Sequence, residues 1–231
     1  MIKKITIFIG NMGSGKSEVA INYALEIKKE TNRDVKLLDL DIIKPYIRIR
    51  DVADKVKHLG IDLLMSDKKM RNADMPIVPR HMIDYLLNES FDMVIDVGGE
   101  ERGCTTIAQF RNYFLETDLS VNLVVNPFRP FSDSREKIIQ IISSLENTCG
   151  LKITGLVSNP HLRFQTSLDQ VRKGTNLVLE ASFESKVPLR FICVWHNLLD
   201  ADFIKDFLPV PVLPLRLFLT FPWENGLMDG I

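Results

Sequence analysis

Gly10-Asn11-Met12-Gly13-Ser14-Gly15-Lys16-Ser17 follows directly on the apolar run Ile5-Thr6-Ile7-Phe8-Ile9 and directly precedes an amphipathic helix pattern. The octet fits G-x-x-x-x-G-K-[ST], the Walker A phosphate-binding loop, in the context that motif requires. Its glycines let the backbone curl so that successive N–H groups point inward at phosphate oxygens, and the positive N-terminal end of the following helix faces the same anion. Lys16 then reaches the β- and γ-phosphates. Ser17 offers a hydroxyl to Mg²⁺, an ion that keeps most of its waters and takes few protein ligands. The whole octet, Gly10, Asn11, Met12, Gly13, Ser14, Gly15, Lys16 and Ser17, is the expected nucleotide cradle. The bland alternative is a glycine-rich strand-to-helix turn that binds nothing, and the flanking strand and helix together with Lys16 and Ser17 argue against it.

Working outward, length and composition agree with one compact domain: 231 residues, 45% hydrophobic, 26% charged, net charge −1. A near-zero charge argues against a general nucleic-acid binder, which carries a basic excess or stripe. Cys104, Cys149 and Cys193 stand far apart with no C-x-x-C, so no zinc knuckle or cluster-ligand pair can be read, and free thiols in a cytoplasmic protein are expected. Lys3-Lys4 followed by apolar residues superficially resembles a secretory signal, yet the apolar stretch runs into the phosphate loop and reads as a first strand. No uninterrupted apolar segment approaches the roughly 18 residues that suggest a spanning helix.

Short β-branched runs alternate with helical patterns, the βαβ signature of a mostly parallel sheet covered on both faces. Strands are predicted at Ile5 to Ile9, Val35 to Leu40, Ile61 to Met65, Met93 to Val97, Val121 to Val125, Ile153 to Ser158 and Arg190 to Val194. Helices are predicted at Lys16 to Glu30, Pro79 to Glu89, Asp133 to Asn147 and Ser167 to Ser182. With no repeat, low-complexity tract or linker, residues 1–231 read as a single α/β three-layer domain with about seven strands. Residues 208–231, interrupted by Pro209, Pro211, Pro214 and Pro222, read as an extended segment packed on the domain or a subunit interface, since they cannot form a continuous membrane-binding amphipathic helix.

Two further stretches carry carboxylates. Leu38-Asp39-Leu40-Asp41 ends a run that reads as a buried strand, and in a doubly wound sheet ligands lie beyond the carboxyl ends of strands. Asp39 and Asp41 then share an edge with the phosphate loop, where carboxylates hold Mg²⁺ waters or orient a water for in-line attack. The alternative is a turn or cap before Pro45. In Phe91-Asp92-Met93-Val94-Ile95-Asp96-Val97-Gly98-Gly99 an apolar strand ends in Asp96, which would bind Mg²⁺ through water. Gly98 or Gly99 would permit a γ-phosphate-sensing movement. The alternative is an ordinary strand-loop junction. Glu100, Glu101 and Arg102 read as a solvated charge run, or as a source of a base or a neutralising arginine.

These three elements resemble the CobQ/CobB/MinD/ParA nucleotide-binding family within the SIMIBI class of P-loop NTPases. The resemblance runs from the loop at Gly10 through Asp39-Leu40-Asp41 to Asp96-Val97-Gly98-Gly99. More narrowly, Asp39 to Arg50 and Val125-Asn126-Pro127-Phe128-Arg129-Pro130-Phe131 look like an ATP-binding subgroup of that family. It implies ATP and Mg²⁺ as cofactors, Asp41 as the water-orienting carboxylate, and Asp39 as its neighbour near Lys16 and the metal. Relatives that share a signature lysine across an ATP sandwich dimer carry Lys one residue after the first glycine. This chain has Asn11 there, so a homodimer would use other contacts.

Guanine-specific GTPases read the base with N-K-x-D after a late strand, and the corresponding place here is Val157-Ser158-Asn159-Pro160-His161-Leu162, without the aspartate. The resemblance makes Asn159 the adenine contact; the alternative is an Asn-Pro turn initiator. His196, after Trp195, reads as a structural residue. Phe128-Arg129-Pro130-Phe131 reads as a clamp for a partner or base, or as loop packing. The expectation is a Mg-ATP-binding NTPase that hydrolyses ATP slowly as a conformational switch on a protein partner. The alternatives are a small-molecule kinase or ATP-dependent ligase with an acceptor pocket from Arg48, Arg50, Arg71 and Arg80, or a nucleotide-binding regulatory module without turnover.

Overall fold

The computed structural model describes residues 4–40, 49–65, 84–86, 88, 90–98, 101–115, 117–199, 201–207 and 209–219. The strands are β1 (Ile5–Ile9), β2 (Asp34–Leu40), β3 (Asp62–Met65), β4 (Phe91–Val97), β5 (Leu119–Val125), β6 (Gly155–Ser158), β7 (Leu189–Trp195) and β8 (Val212–Leu215). The helices are α1 (Lys16–Thr31), α2 (Ala53–His58), α3 (Glu101–Ala108), α4 (Arg111–Leu115), α5 (Arg135–Cys149), α6 (Leu168–Ser185) and α7 (Ala201–Asp206). Among the described residues the strands form one sheet in the order β3-β2-β4-β1-β5-β6-β7-β8, and every adjacent pair is parallel. The expected α/β three-layer architecture is therefore present, with eight strands instead of about seven.

A parallel strand buried on both faces reads as an unbroken apolar run, because alternate residues enter two different cores. In β1, Ile5, Ile7 and Ile9 pack with residues of α3, α5 and α6 on one face of the sheet. Phe8 faces the other way, into a core with Val19, Ala20, Ala24 and Ile27 of α1. Tyr23 of α1 meets Phe8 edge-on at 5.1 Å and stacks on Phe191 of β7 at 5.5 Å, pinning the helix across the sheet. Both long helices opposite α1 begin at serine caps. Ser134 accepts from Lys137 N–H, and Ser167 forms a reciprocal capping box with Gln170. Caps belong outside the helix, which is why α5 and α6 start one or two residues later than their patterns suggest.

The eighth strand is additional to those expected. Residues 212–215 lie in the segment read as extended and packed on the domain or a subunit interface, and β8 pairs in parallel with β7, Val194 opposite Pro214. Proline cannot donate to a ladder, so it is tolerated in a strand at the sheet's edge, where one side needs no donor. β8 is that edge. The helix expected over Pro79 to Glu89 lies mostly outside the described residues, with 84–86 helical. Among the described residues no helix is long and apolar enough to cross a membrane.

Candidate nucleotide-binding site

β1 lies in the interior of the sheet, with β4, β2 and β3 on one side of it and β5 to β8 on the other, so the direction of winding reverses beside it. Crevices at such a reversal, beyond the carboxyl ends of the strands, are where doubly wound folds hold ligands. Gly10 to Gly15 fill that position and lead into α1, whose N-cap is Gly15 at φ 84°. A β-carbon there would lie 2.3 Å from Asn159 Nδ2, so both the positive φ and the contact demand glycine. The cap has no side chain and makes no side-chain hydrogen bond to the helix, and a helix N-terminus of this kind is a ready site for an anion.

The loop is braced from behind through its carbonyls. Asn159 Nδ2 donates to Ser14 O at 2.8 Å. Asn126 Nδ2 donates to Gly13 O at 3.2 Å and to His161 O at 3.0 Å. Asn126 Oδ1 accepts from the N–H of Phe128 and of His161, and Arg129 Nε donates to Gly13 O at 3.3 Å. A loop whose carbonyls are held outward keeps its N–H groups turned to the cradle. The sequence reading assigns Asn126 no role. It is fully buried and ties the loops after β5 and β6 to the phosphate loop. Its signal was an Asn-Pro step directly after a strand. Asn159 is likewise a brace, and Arg129 grips the phosphate loop.

On the opposite side stand the carboxylates. Asp39 and Asp96 are lateral partners in the β2–β4 register and are 5% and 0% exposed. Lateral partners point to the same face. Two residues earlier Leu37 and Val94 pack into the core of α1, so both carboxylates face the helix that begins with Lys16 and Ser17. Two adjacent buried carboxylates repel one another unless a cation lies nearby. Lys16 is 1% exposed. Among the described residues no group of three or more His, Cys, Asp and Glu could hold a metal unaided. A hydroxyl, two buried carboxylates and an anion cradle instead fit Mg²⁺, which relies on water and phosphate oxygens. Ser14 Oγ, buried within the loop without a hydrogen-bond partner among the described residues, fits a phosphate oxygen.

Gly98 leaves β4 toward the site, and Gly103 of α3 lies directly against it. A β-carbon on Gly103 would fall 2.1 Å from Gly98 O. The sequence reading assigns Gly103 no role, since α3 is too short for a helical pattern to be read around it. Asp41, Gly99 and Glu100 lie outside the described residues, as do Arg48, Arg71, Arg80 and the side chain of Arg50. His196 Nδ1 lies 3.2 Å from Leu215 O, in keeping with its structural reading.

His161 packs close to Gly15. Burial, then the nearby guanidiniums of Arg129 and Arg163, push its imidazole down to about 4. The folded protein therefore keeps His161 neutral where the unfolded chain, with an ordinary value near 6.5, already binds a proton. The His161 contribution to stability should fall as pH drops from about 6.5 toward 4, by on the order of 2 kcal/mol between pH 7.5 and 5, while Glu18, pushed up to about 7 by burial, gains stability over the same range and offsets it. Urea midpoints at the two pH values check this: His161→Asn should be more stable relative to the wild type at pH 5 than at pH 7.5.

No protein-family model and no curated protein sequence matches the chain. Solved structures do. FlhF complexed with GTP/Mg²⁺ aligns at 16% identity and TM-score 0.53, over 83% of this chain and 66% of that one. Chloroplast FtsY from Physcomitrella patens aligns at 17% and 0.56, over 89% and 65%. The cell division protein FtsY from Thermotoga maritima aligns at 15% and 0.56, over 84% and 62%. The chain thus spans a little under two thirds of the length of these proteins. The likeness is one of architecture, and the chain has the fold of the SIMIBI class of P-loop NTPases.

Proposed function

We propose that the chain is a Mg²⁺-dependent P-loop NTPase that binds ATP and hydrolyses it slowly, as a conformational switch acting on a protein partner in the cytoplasm. The observation that carries this reading is the convergence of two unlike parts on one end of the sheet. The braced loop ending in Lys16 and Ser17 lies against α1's face of the sheet, toward which the buried Asp39 and Asp96 point. Phosphoryl transfer asks little covalent chemistry of a protein, so positioning and charge neutralisation are what such a site must supply. Lys16 and the α1 N–H groups would hold the β- and γ-phosphates. Ser17, and Asp96 through water, would hold Mg²⁺, whose charge neutralises the phosphate oxygens when bound. Asp41, with Asp39 beside it, would orient the attacking water, and Gly98 with Gly99 would respond to the γ-phosphate. FlhF, of the same fold, is seen with GTP/Mg²⁺, which supports a nucleotide with Mg²⁺ here and leaves the base to be argued from this chain.

That argument favours adenine. Ser14 O can only accept, which fixes the Asn159 amide with Nδ2 toward the loop. Its Oδ1 is then the group left for the base, and an acceptor suits the exocyclic amine of adenine, whereas guanine presents a carbonyl oxygen at the corresponding position. Direct competition calorimetry in Mg²⁺ should show ATP binding about tenfold more tightly than GTP, the scale of one hydrogen bond gained or lost. Tighter GTP binding would overturn the adenine assignment.

A further inference from the structure

Residues 216–219, beyond β8, lie against the first turns of α1. Glu18, next to Ser17, is buried, and its carboxylate accepts from the backbone N–H groups of Phe218 and Leu219. One turn further along, Asn22 pairs with Arg216 as a neighbouring strand would. Its Oδ1 accepts from Arg216 N at 2.8 Å and its Nδ2 donates to Arg216 O at 2.9 Å. The same Nδ2 also donates to Glu18 O at 2.8 Å, so both anchors belong to one network. From the other side Arg163 Nη2 donates to Leu219 O at 3.0 Å. Arg163 follows His161 on the loop that carries Asn159 and packs on Gly15. Leu219 and Leu215 complete the attachment inside the α1 core.

This short segment therefore touches both the helix that presents Lys16 and Ser17 and the loop that braces the cradle. Bonds of this kind are costly to leave unmade once buried, since a buried acceptor without its donors bears the full desolvation penalty. We propose that residues 216–219 act as a clasp that holds α1 and the loop after β6 in their nucleotide-binding spacing, with Glu18 and Asn22 as positioning residues, so that docking of this segment and nucleotide affinity are linked. The proposal rests on the reading of the site as a nucleotide site. Linkage is reciprocal. Whatever the clasp adds to nucleotide affinity, bound nucleotide adds to closure of the clasp.

Amide hydrogen exchange on the full chain, with and without Mg²⁺ and a non-hydrolysable ATP analogue, tests it. Exchange at Phe218 and Leu219 should slow by about tenfold on binding. Asn22→Ala should raise the dissociation constant for the analogue by about tenfold and quicken exchange at those two amides, with turnover at saturating ATP little changed. Glu18→Gln, which keeps one acceptor oxygen, should have the smaller effect and Glu18→Ala the larger. A merely structural contact would lower the unfolding midpoint without making exchange at 218 and 219 respond to nucleotide. If the analogue binds while these amides are unmoved and Asn22→Ala binds as well as the wild type, the clasp is wrong and the site stands. If the wild type binds no nucleotide, the site reading falls and the clasp with it.

Discussion

Replacing Lys16 by alanine is expected to raise the dissociation constant for Mg-ATP by about 10²-fold or more. The argument begins with burial. Lys16 is the first residue of α1 and is almost wholly enclosed, so its side chain is held within the fold instead of ranging through solvent. Hydrogen bonds to charged groups are worth roughly 1.5–3 kcal/mol each. Losing one or two of them against the β- and γ-phosphates gives a hundredfold loss, since 1.4 kcal/mol is a factor of about ten. The same burial means that alanine also removes a packed aliphatic stem, at about 0.8 kcal/mol for each buried methylene. Lys16→Met restores the stem without the charge, and should match the alanine variant in affinity while approaching the wild type in unfolding midpoint. Calorimetry showing unchanged affinity in Lys16→Met would remove the basis of the nucleotide reading.

The second large effect separates binding from chemistry. Asp41→Asn keeps shape and hydrogen-bonding capacity and removes one negative charge. Turnover should fall by about 10²-fold or more, the scale of a positioned acid-base group, while affinity for Mg-ATP stays within about threefold. Asp96→Asn should behave otherwise. Asp96 is fully buried beside Asp39 on the face of α1, so its loss should raise the Mg²⁺ concentration needed for binding and weaken nucleotide affinity together. Steady-state rates and binding isotherms across a Mg²⁺ titration distinguish the two. Wild-type hydrolysis by Asp41→Asn would move the water-orienting role to Glu100 as the next carboxylate to test. Hydrolysis by the wild type only with an added small acceptor would replace the switch with a kinase.

What could be read in the sequence was what is local. Ile5 to Ser17 place a strand, a loop and a helix end in thirteen consecutive residues, and Asp96 closes an apolar run that has no other reading than a buried strand. The braces of the loop were not local. Asn126 and Asn159 reach Gly13 and Ser14 across 113 and 145 residues, and no periodicity records a contact between loops so distant. The burial of Lys16 is not legible locally either, since a lysine after a glycine-rich turn reads in sequence like any charged residue. β8 was hidden by Pro214 within it and by Pro209 and Pro211 just before it, since proline in a strand is tolerated at a sheet's edge. Short α2, α3, α4 and α7 carry too few turns for an apolar stripe to repeat.

The order of the strands has a consequence for synthesis. β1 is flanked by β4 and β5, so during synthesis it waits for residues 91–97 and 119–125 before it has either neighbour. Pairings between strands so far apart in the chain are slow to form and expose apolar surface meanwhile. The phosphate loop, complete in sequence at Ser17, thus acquires its carbonyl braces only after Asn126 and Asn159 have emerged, and Glu18 gains its donors only when residues 218 and 219 have done so. By the clasp proposal, a nascent chain in which Asn126 and Asn159 have emerged and residues 216–219 have not should hold nucleotide about tenfold more weakly than the folded protein.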